Sequence, residues 1–286
     1  MGSPSPDPPG VSVVIATRRR PELLARCLAS VLEQRTNVLY EVIVVNDDTA
    51  ALERVPDDER VRVVECGGRG LASARNLGAG TARSRLLVFT DDDTEPAPEW
   101  LDGVVAASRR RPDAVGFEGP VRTGDYDVLH FHAPLARPGG CCGANVAYRR
   151  SSFLELGGFD ERFYGWMPED VEFGMRAKAT GEVVYVPEMV VCHPPRAIGL
   201  RERMQQASGV EGVWLLFRKH PSLSRWRVPL RWGPALAELQ RWLRLLSRRD
   251  VVRGSPERAV RIVVLALCTT ASAGVAGWRR WPGHAA

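Results

Sequence analysis

Several features that would narrow the field are missing from this chain. Its six cysteines include no Cys-x-x-Cys pair, which argues against a zinc knuckle. Cys141 and Cys142 are adjacent, and a disulfide between neighbours would be strained. The cysteines therefore read as free thiols of a reducing compartment. Met1–Gly10 is rich in Pro and Ser and lacks the basic and apolar regions of a secretory leader. No repeat of 20–50 residues recurs, which excludes a solenoid or propeller. The most apolar stretch, Ile262–Trp278, has 17 residues, whereas a spanning helix needs about 20. Its second half is built of small residues. It reads as a helix or hairpin packed on the domain or forming a homodimer contact, with peripheral membrane contact as an intermediate case. The expected location is cytoplasmic, with attachment at the inner face of a membrane as the variant.

What is present suits a globular enzyme-sized chain. There are 286 residues, 44% hydrophobic and 26% charged, enough for one large α/β domain with an extension. Net charge is +5 but unevenly spread. Of 39 Lys and Arg, 17 follow Pro195, together with only 5 of the 34 Asp and Glu. An acidic front can hold a metal ion, and a basic back can face phosphates or an anionic membrane. Six of the eight tryptophans also lie in that back region. The division is a tail at 1–10, a domain at 11–195, and a basic, Trp-rich, mostly helical extension at 196–286. Nothing in the extension matches a nucleic-acid-binding motif.

Periodicity places the elements. Val11–Ala16 (VSVVIA), Glu41–Val45 (EVIVV) and Val61–Val64 (VRVV) read as buried strands, and Arg85–Phe89 (RLLVF) as a fourth. Pro21 opens a helix with Leu24, Leu28, Val31 and Leu32 at helical spacing. Leu71–Thr81, Trp100–Arg110 and Met167–Ala179 read as further helices, and Glu182–Val186 as a late strand. Ala114–Arg150 has little periodicity and reads as a variable loop region ending in a strand near Asn145–Tyr148. Such alternation predicts a doubly wound open sheet, in which ligands bind beyond the carboxyl ends of the strands. The residues there are polar: Thr17-Arg18-Arg19-Arg20, Asn46-Asp47-Asp48 and Asp91-Asp92-Asp93.

Three carboxylates after a buried strand repel one another unless a cation is bound. Hard oxygen ligands suit Mg²⁺ or Mn²⁺ shared with a diphosphate, and a solvated acidic turn is the competing reading. Asp47 could contact a base or ribose, or simply shape a turn. Arg75 and Asn76 open a helix after Gly70 and could reach a phosphate or sugar, or face solvent. Glu169 and Asp170 follow Gly165-Trp166, and an acid beside a tryptophan can hold a sugar or serve as a general base; a helix-terminal acid pair is the alternative. His193 follows an apolar run, where a structural histidine is the commoner case.

In order, the segments VSVVIATRRRP, EVIVVNDD, GLASARNLG, LLVFTDDDTEP, GANVAYRR and GGFDERFYGWMPEDVEFGMR, followed by Cys192-His193, resemble the family-2 glycosyltransferases of GT-A fold. The stretch Gly157–Arg176 also looks like the acceptor-side motif of galactosyltransferases. The resemblance implies inverting transfer of a sugar from a nucleotide-diphosphate donor, UDP-sugar favoured, to a saccharide, lipid-linked or small-molecule acceptor. It implies donor contacts from Thr17, Arg20, Asp47, Arg75, Asn76, Asp91 and Asp92. It implies Mn²⁺ or Mg²⁺ on Asp93 and His193, an acceptor site at Trp166, Glu169 and Asn145, and Asp170 as general base. Asn46, Asp48 and Arg18-Arg19 depart from the family pattern and leave the nucleotide base open. Two other readings stand beside this one. A nucleotidyltransferase on a related sheet would carry a Gly-rich loop where TRRRP stands. A non-catalytic sugar-nucleotide-binding or membrane-associated scaffold would bind without turnover.

Overall fold

The computed structural model describes residues 10–124, 131–132, 138–163, 168–197, 215–216 and 218–220. The chain forms two compact units. The first comprises Met1–Gly124, Pro134–Arg162 and Glu169–Pro194; the second comprises Asp125–Ala133, Phe163–Pro168 and Pro195–Ala286. The apolar stretch Ile262–Trp278 lies outside the described residues. Among those described, no helix is long and apolar enough to cross a membrane.

The elements run β1 (Val11–Thr17), α1 (Pro21–Leu32), β2 (Tyr40–Asn46), β3 (Val61–Glu65), α2 (Leu71–Thr81), β4 (Leu86–Asp91), β5 (Glu95–Pro96), α3 (Trp100–Arg110), β6 (Gly116–Glu118), β7 (Val121–Arg122), β8 (Phe131–His132), β9 (Val146–Arg149), α4 (Arg150–Glu155), α5 (Glu169–Thr180), β10 (Val183–Tyr185), β11 (Val191–Cys192) and β12 (Arg196–Ala197). In the second unit, β8 and β12 pair antiparallel.

The first unit is built on a seven-strand sheet ordered β10-β6-β9-β4-β1-β2-β3. All seven residues of β1 and of β2 are buried, because helices cover both faces. Alternation sorts their side chains. Val13, Ile15, Val42 and Val44 join α1 and α3 in one core, around fully buried Trp100. Val14, Ile43 and Val45 join the opposite core, where Phe89, Phe153, Phe159 and Phe173 pack ring against ring.

The sheet is mixed, since β9 runs antiparallel to both β4 and β6. Two expectations change. The segment expected as a variable loop contributes β6, which sits inside the sheet; three residues are too few to show a period. Val61–Val64 is not a buried strand: β3 is the outer edge, with Val63 exposed.

A separate three-strand sheet, ordered β5-β11-β7, positions the site. Cys192 in β11 pairs with Glu95 in β5, just after Asp91-Asp92-Asp93. The His193 N–H donates to the Arg122 carbonyl at 2.8 Å. A histidine a hundred residues away in sequence is thereby delivered to the aspartates.

Helix α2 lies so close to the sheet that a Cβ on Gly78 would sit 2.5 Å from Val14 Cγ1 and 3.0 Å from Val45 Cγ2. Gly78→Val should therefore destabilise the fold by about 1–3 kcal/mol through overpacking. A urea melt showing wild-type stability would contradict this packing.

Candidate active site

The site gathers at the carboxyl ends of β1 and β4, which run side by side with Ala16 opposite Asp91. Thr17 Oγ1 donates to Asp92 Oδ2 at 2.7 Å. Arg20, at the start of α1, reaches across with one nitrogen, Nη1, to Asp92 Oδ1 at 3.0 Å and Asp93 Oδ2 at 3.2 Å. From the other side comes Arg75 of α2, almost fully buried. Its Nη2 donates to Asp91 Oδ1 at 2.5 Å and its Nη1 to Glu169 Oε1 at 2.6 Å. Glycine at 143 makes room for that guanidinium, because a Cβ there would lie 2.6–2.8 Å from its atoms.

His193 Nε2 lies 3.2 Å from Asp93 Oδ1, while Nδ1 faces the Pro194 carbonyl. One ligand atom from each of Asp91, Asp93 and His193 falls within 4.8 Å of the others. Two hard oxygens and one imidazole nitrogen suit Mn²⁺ or Mg²⁺ shared with a diphosphate. Asp91, which the motif reading assigned to the donor, thus stands with the candidate metal ligands.

Asp170 occupies the first turn of α5, partly open to solvent. Two backbone N–H groups orient it: Val171 to Oδ1 and Gly143 to Oδ2, each at 2.7 Å. Such a carboxylate keeps lone pairs free to accept a proton while its plane is held.

The other expected residues are bonded into the framework. Asp47 accepts the N–H of Gly70, at 3.0 and 3.1 Å to its two oxygens, where Gly70 turns into α2 at φ +101°. Asn76 Nδ2 donates to the Phe159 carbonyl and Oδ1 accepts the Phe159 N–H, both at 2.9 Å, which pins the Gly-Gly-Phe-Asp-Glu loop. Asn145, 1% exposed, accepts from Trp100 Nε1 and donates to the carbonyls of Pro120 and Met189. Its amide knits β9 to α3 and to the approaches of β7 and β11, instead of lining an open surface. Trp166 lies outside the described residues. Arg19 bonds to Asp48, so two of the departures from the motif pair with each other. Motif reading gave no role to Glu118, or to the Gly143 that opens the segment GANVAYRR.

The family described as "Glycosyl transferase family 2" matches residues 12–157. The chain belongs to glycosyl transferase family 2. A second family, "N-terminal domain of galactosyltransferase", matches residues 128–195. Among curated relatives, the chain is 30% identical over 269 residues to a validoxylamine A glucosyltransferase of Streptomyces hygroscopicus subsp. jinggangensis, covering 75% of this chain and 62% of that protein. It is 30% identical over 175 residues to a glucosyl-dolichyl phosphate glucuronosyltransferase of Haloferax volcanii, covering 52% and 56%. The chain thus spans less than two thirds of the length of these relatives. Among solved structures, the mannosyltransferase PcManGT from Pyrobaculum calidifontis, in complex with GDP-Man and Mn²⁺, matches with a TM-score of 0.59 at 19% identity, covering 96% of this chain and 89% of that one. GalNAc-T7 with UDP, GalNAc and Mn²⁺ matches with a TM-score of 0.55 at 18% identity, covering 76% and 52%. At these identities the likeness concerns the fold, which is the GT-A fold expected from the motifs.

In this family-2 chain the crowding of charge moves several proton affinities the same way. Burial, against the pull of Arg20 and Thr17, pushes Asp92 up to about 6. Burial and the neighbouring Asp170 push Glu169 up to about 8, against Arg75. Asp170 is raised as well, by burial first, with Asp91 adding and Arg75 and the two N–H bonds opposing. Burial works against the His193 imidazolium, but Asp93 outweighs it and the net shift is upward. Each of these groups binds its proton more tightly when folded. The stability they provide is complete below their unfolded values and is lost as pH rises through the folded ones. In EDTA, the melting temperature should therefore fall between pH 5 and pH 8. Mn²⁺, which favours the ionised carboxylates and neutral imidazole, should recover it at pH 8. A melting temperature that stays flat across this range, with or without Mn²⁺, would contradict the charge arrangement.

Proposed function

We propose that this chain is an inverting, metal-assisted glycosyltransferase that moves a sugar from a nucleotide-diphosphate donor to an acceptor hydroxyl. One observation carries the reading. The Asp91, Asp93 and His193 ligand atoms converge at the strand ends. Arg75 ties that cluster to Glu169, the neighbour of an Asp170 already oriented by two N–H bonds. On this reading, donor-side and acceptor-side machinery meet at one guanidinium. The relatives' names support transfer of a sugar, and the fold neighbours hold GDP-Man or UDP with Mn²⁺. A UDP-sugar is the first choice, with GDP and dTDP next. Saccharide, lipid-linked and small-molecule acceptors all fit the chemistry.

In the proposed reaction Asp170 takes the acceptor proton as the acceptor oxygen attacks the anomeric carbon. The bond from that carbon to the diphosphate oxygen breaks on the opposite face, so configuration inverts. A divalent ion on Asp91, Asp93 and His193 would neutralise charge on the departing diphosphate, an effect worth several kcal/mol. Arg20 holds Asp92 and Asp93, and Arg75 holds Asp91. These pairs keep the acids in place before the substrates arrive. Because the base must be ionised and its proton affinity is raised, activity should fall on acidification from a point above the ordinary carboxylate range of about 4.

General-base assistance is worth about 10²–10⁴-fold, so Asp170→Asn should lose that much turnover while still binding the nucleotide with Mn²⁺. Asp93→Ala should lose the Mn²⁺-dependent binding itself. A melting panel of UDP, GDP, dTDP, CDP and ADP, with and without Mn²⁺, reads the donor class. A nucleotide at 100 times its dissociation constant adds about 2.7 kcal/mol. Near-full turnover in Asp170→Asn would remove the base assignment. Absence of any nucleotide effect would favour the scaffold reading.

A further inference from the structure

The loop at 138–143 lies along one face of α5. Three contacts meet that face in register, at residues 170, 174 and 178, each one helical turn from the next. Gly143 donates its N–H to Asp170. Cys141 packs on Gly174, where an added Cβ would come within 2.5 Å of the cysteine Cβ and 2.7 Å of its sulfur. The Gly139 carbonyl accepts from Lys178 Nζ at 2.5 Å. The loop is also held by one buried acid, Glu118, at the end of β6. Its Oε1 accepts the Gly139 N–H at 2.6 Å and its Oε2 the Cys141 N–H at 2.7 Å. Lys178 Nζ also lies 3.9 Å from Oε1. Cys141 adopts φ +51°, a left-handed conformation that a non-glycine residue holds only when its surroundings impose it. Both Glu118 oxygens accept N–H groups at this turn, one from Cys141 itself and one from two residues earlier. The same conformation presents the next-but-one N–H, that of Gly143, to Asp170.

We propose that Glu118 is a positioning residue: by gripping Gly139 and Cys141 it sets the loop whose Gly143 N–H orients the Asp170 carboxylate toward the acceptor. Glu118 acts through the loop and touches no substrate. This rests on Asp170 being the base, and the test separates the two claims.

Turnover is measured as nucleotide release from UDP-glucose with Mn²⁺, or from GDP-mannose if GDP is the nucleotide that stabilises the protein. Glu118→Gln keeps the shape of the side chain but replaces one acceptor with a donor facing an N–H. It should lower kcat about 10- to 100-fold, the scale of a misoriented reacting group, with the donor KM and the Mn²⁺-dependent melting shift unchanged. In the Asp170→Asn background the same substitution should cost nothing further, because the group it positions is already gone. Lys178→Met, at the surface, should show the same pattern at a few-fold scale, and it carries the test if Glu118→Gln does not fold. A wild-type kcat in Glu118→Gln overturns the proposal, as does an equal loss in both backgrounds or a loss confined to donor KM. If Asp170→Asn itself keeps full turnover, the base assignment falls and the positioning role falls with it.

Discussion

Five carboxylates, Asp91, Asp92, Asp93, Glu169 and Asp170, are drawn to one edge of the sheet, and their mutual repulsion is the constraint the site is built around. At a separation of 4 Å and an effective dielectric near 20, one pair of like charges costs about 4 kcal/mol. Two guanidinium groups and an imidazole answer it. Arg20 bonds Asp92 and Asp93, Arg75 bonds Asp91 and Glu169, and His193 sits against Asp93. Arg75 is nearly buried, so removing it would strand the buried Glu169 and leave the partly exposed Asp91 without its cation. Burial first, and neighbouring acids second, raise the proton affinities of Asp92, Glu169 and Asp170. Asp91, Asp93 and His193 form a cluster that could hold a metal ion.

The constraint reaches into the backbone. Arg75 fits only because residue 143 has no Cβ, and the 138–143 loop lies on α5 only because residue 174 has none. Glycine here supplies close approach. The gain is that backbone N–H groups, which cannot rotate away, point at Asp170. Orientation supplied by backbone costs little reorganisation when a reaction occurs.

Much of this was readable in the sequence, and for clear reasons. VSVVIA and EVIVV are continuous apolar runs because both faces of a central strand are covered, and the helix of Pro21 carries a 3.6-residue period. The edge strand β3 was misjudged because an apolar run looks the same whether one face or two are covered. The strand β6 was missed because three residues hold no period. Asp47, Asn76 and Asn145 show a different limit. A polar residue after a strand or at the start of a helix can serve a ligand or a buried backbone group. Asp47 bonds Gly70, Asn76 bonds Phe159, and Asn145 joins Trp100 to two carbonyls. Residue type alone does not separate these uses, since the hydrogen-bonding groups are the same.

The sequence by itself determined the layered α/β architecture, the strand ends as the place for chemistry and the candidate acids, because burial and periodicity are local properties that neighbouring residues declare. Only the tertiary structure decided which acids share a cation, that His193 reaches Asp93 through the pairing of β11 with β5, and that Glu118 and Lys178 grip the loop that orients Asp170. Those relations join residues dozens of positions apart. They arise when packed strands and helices bring charges within a few ångströms, a distance that no local pattern encodes.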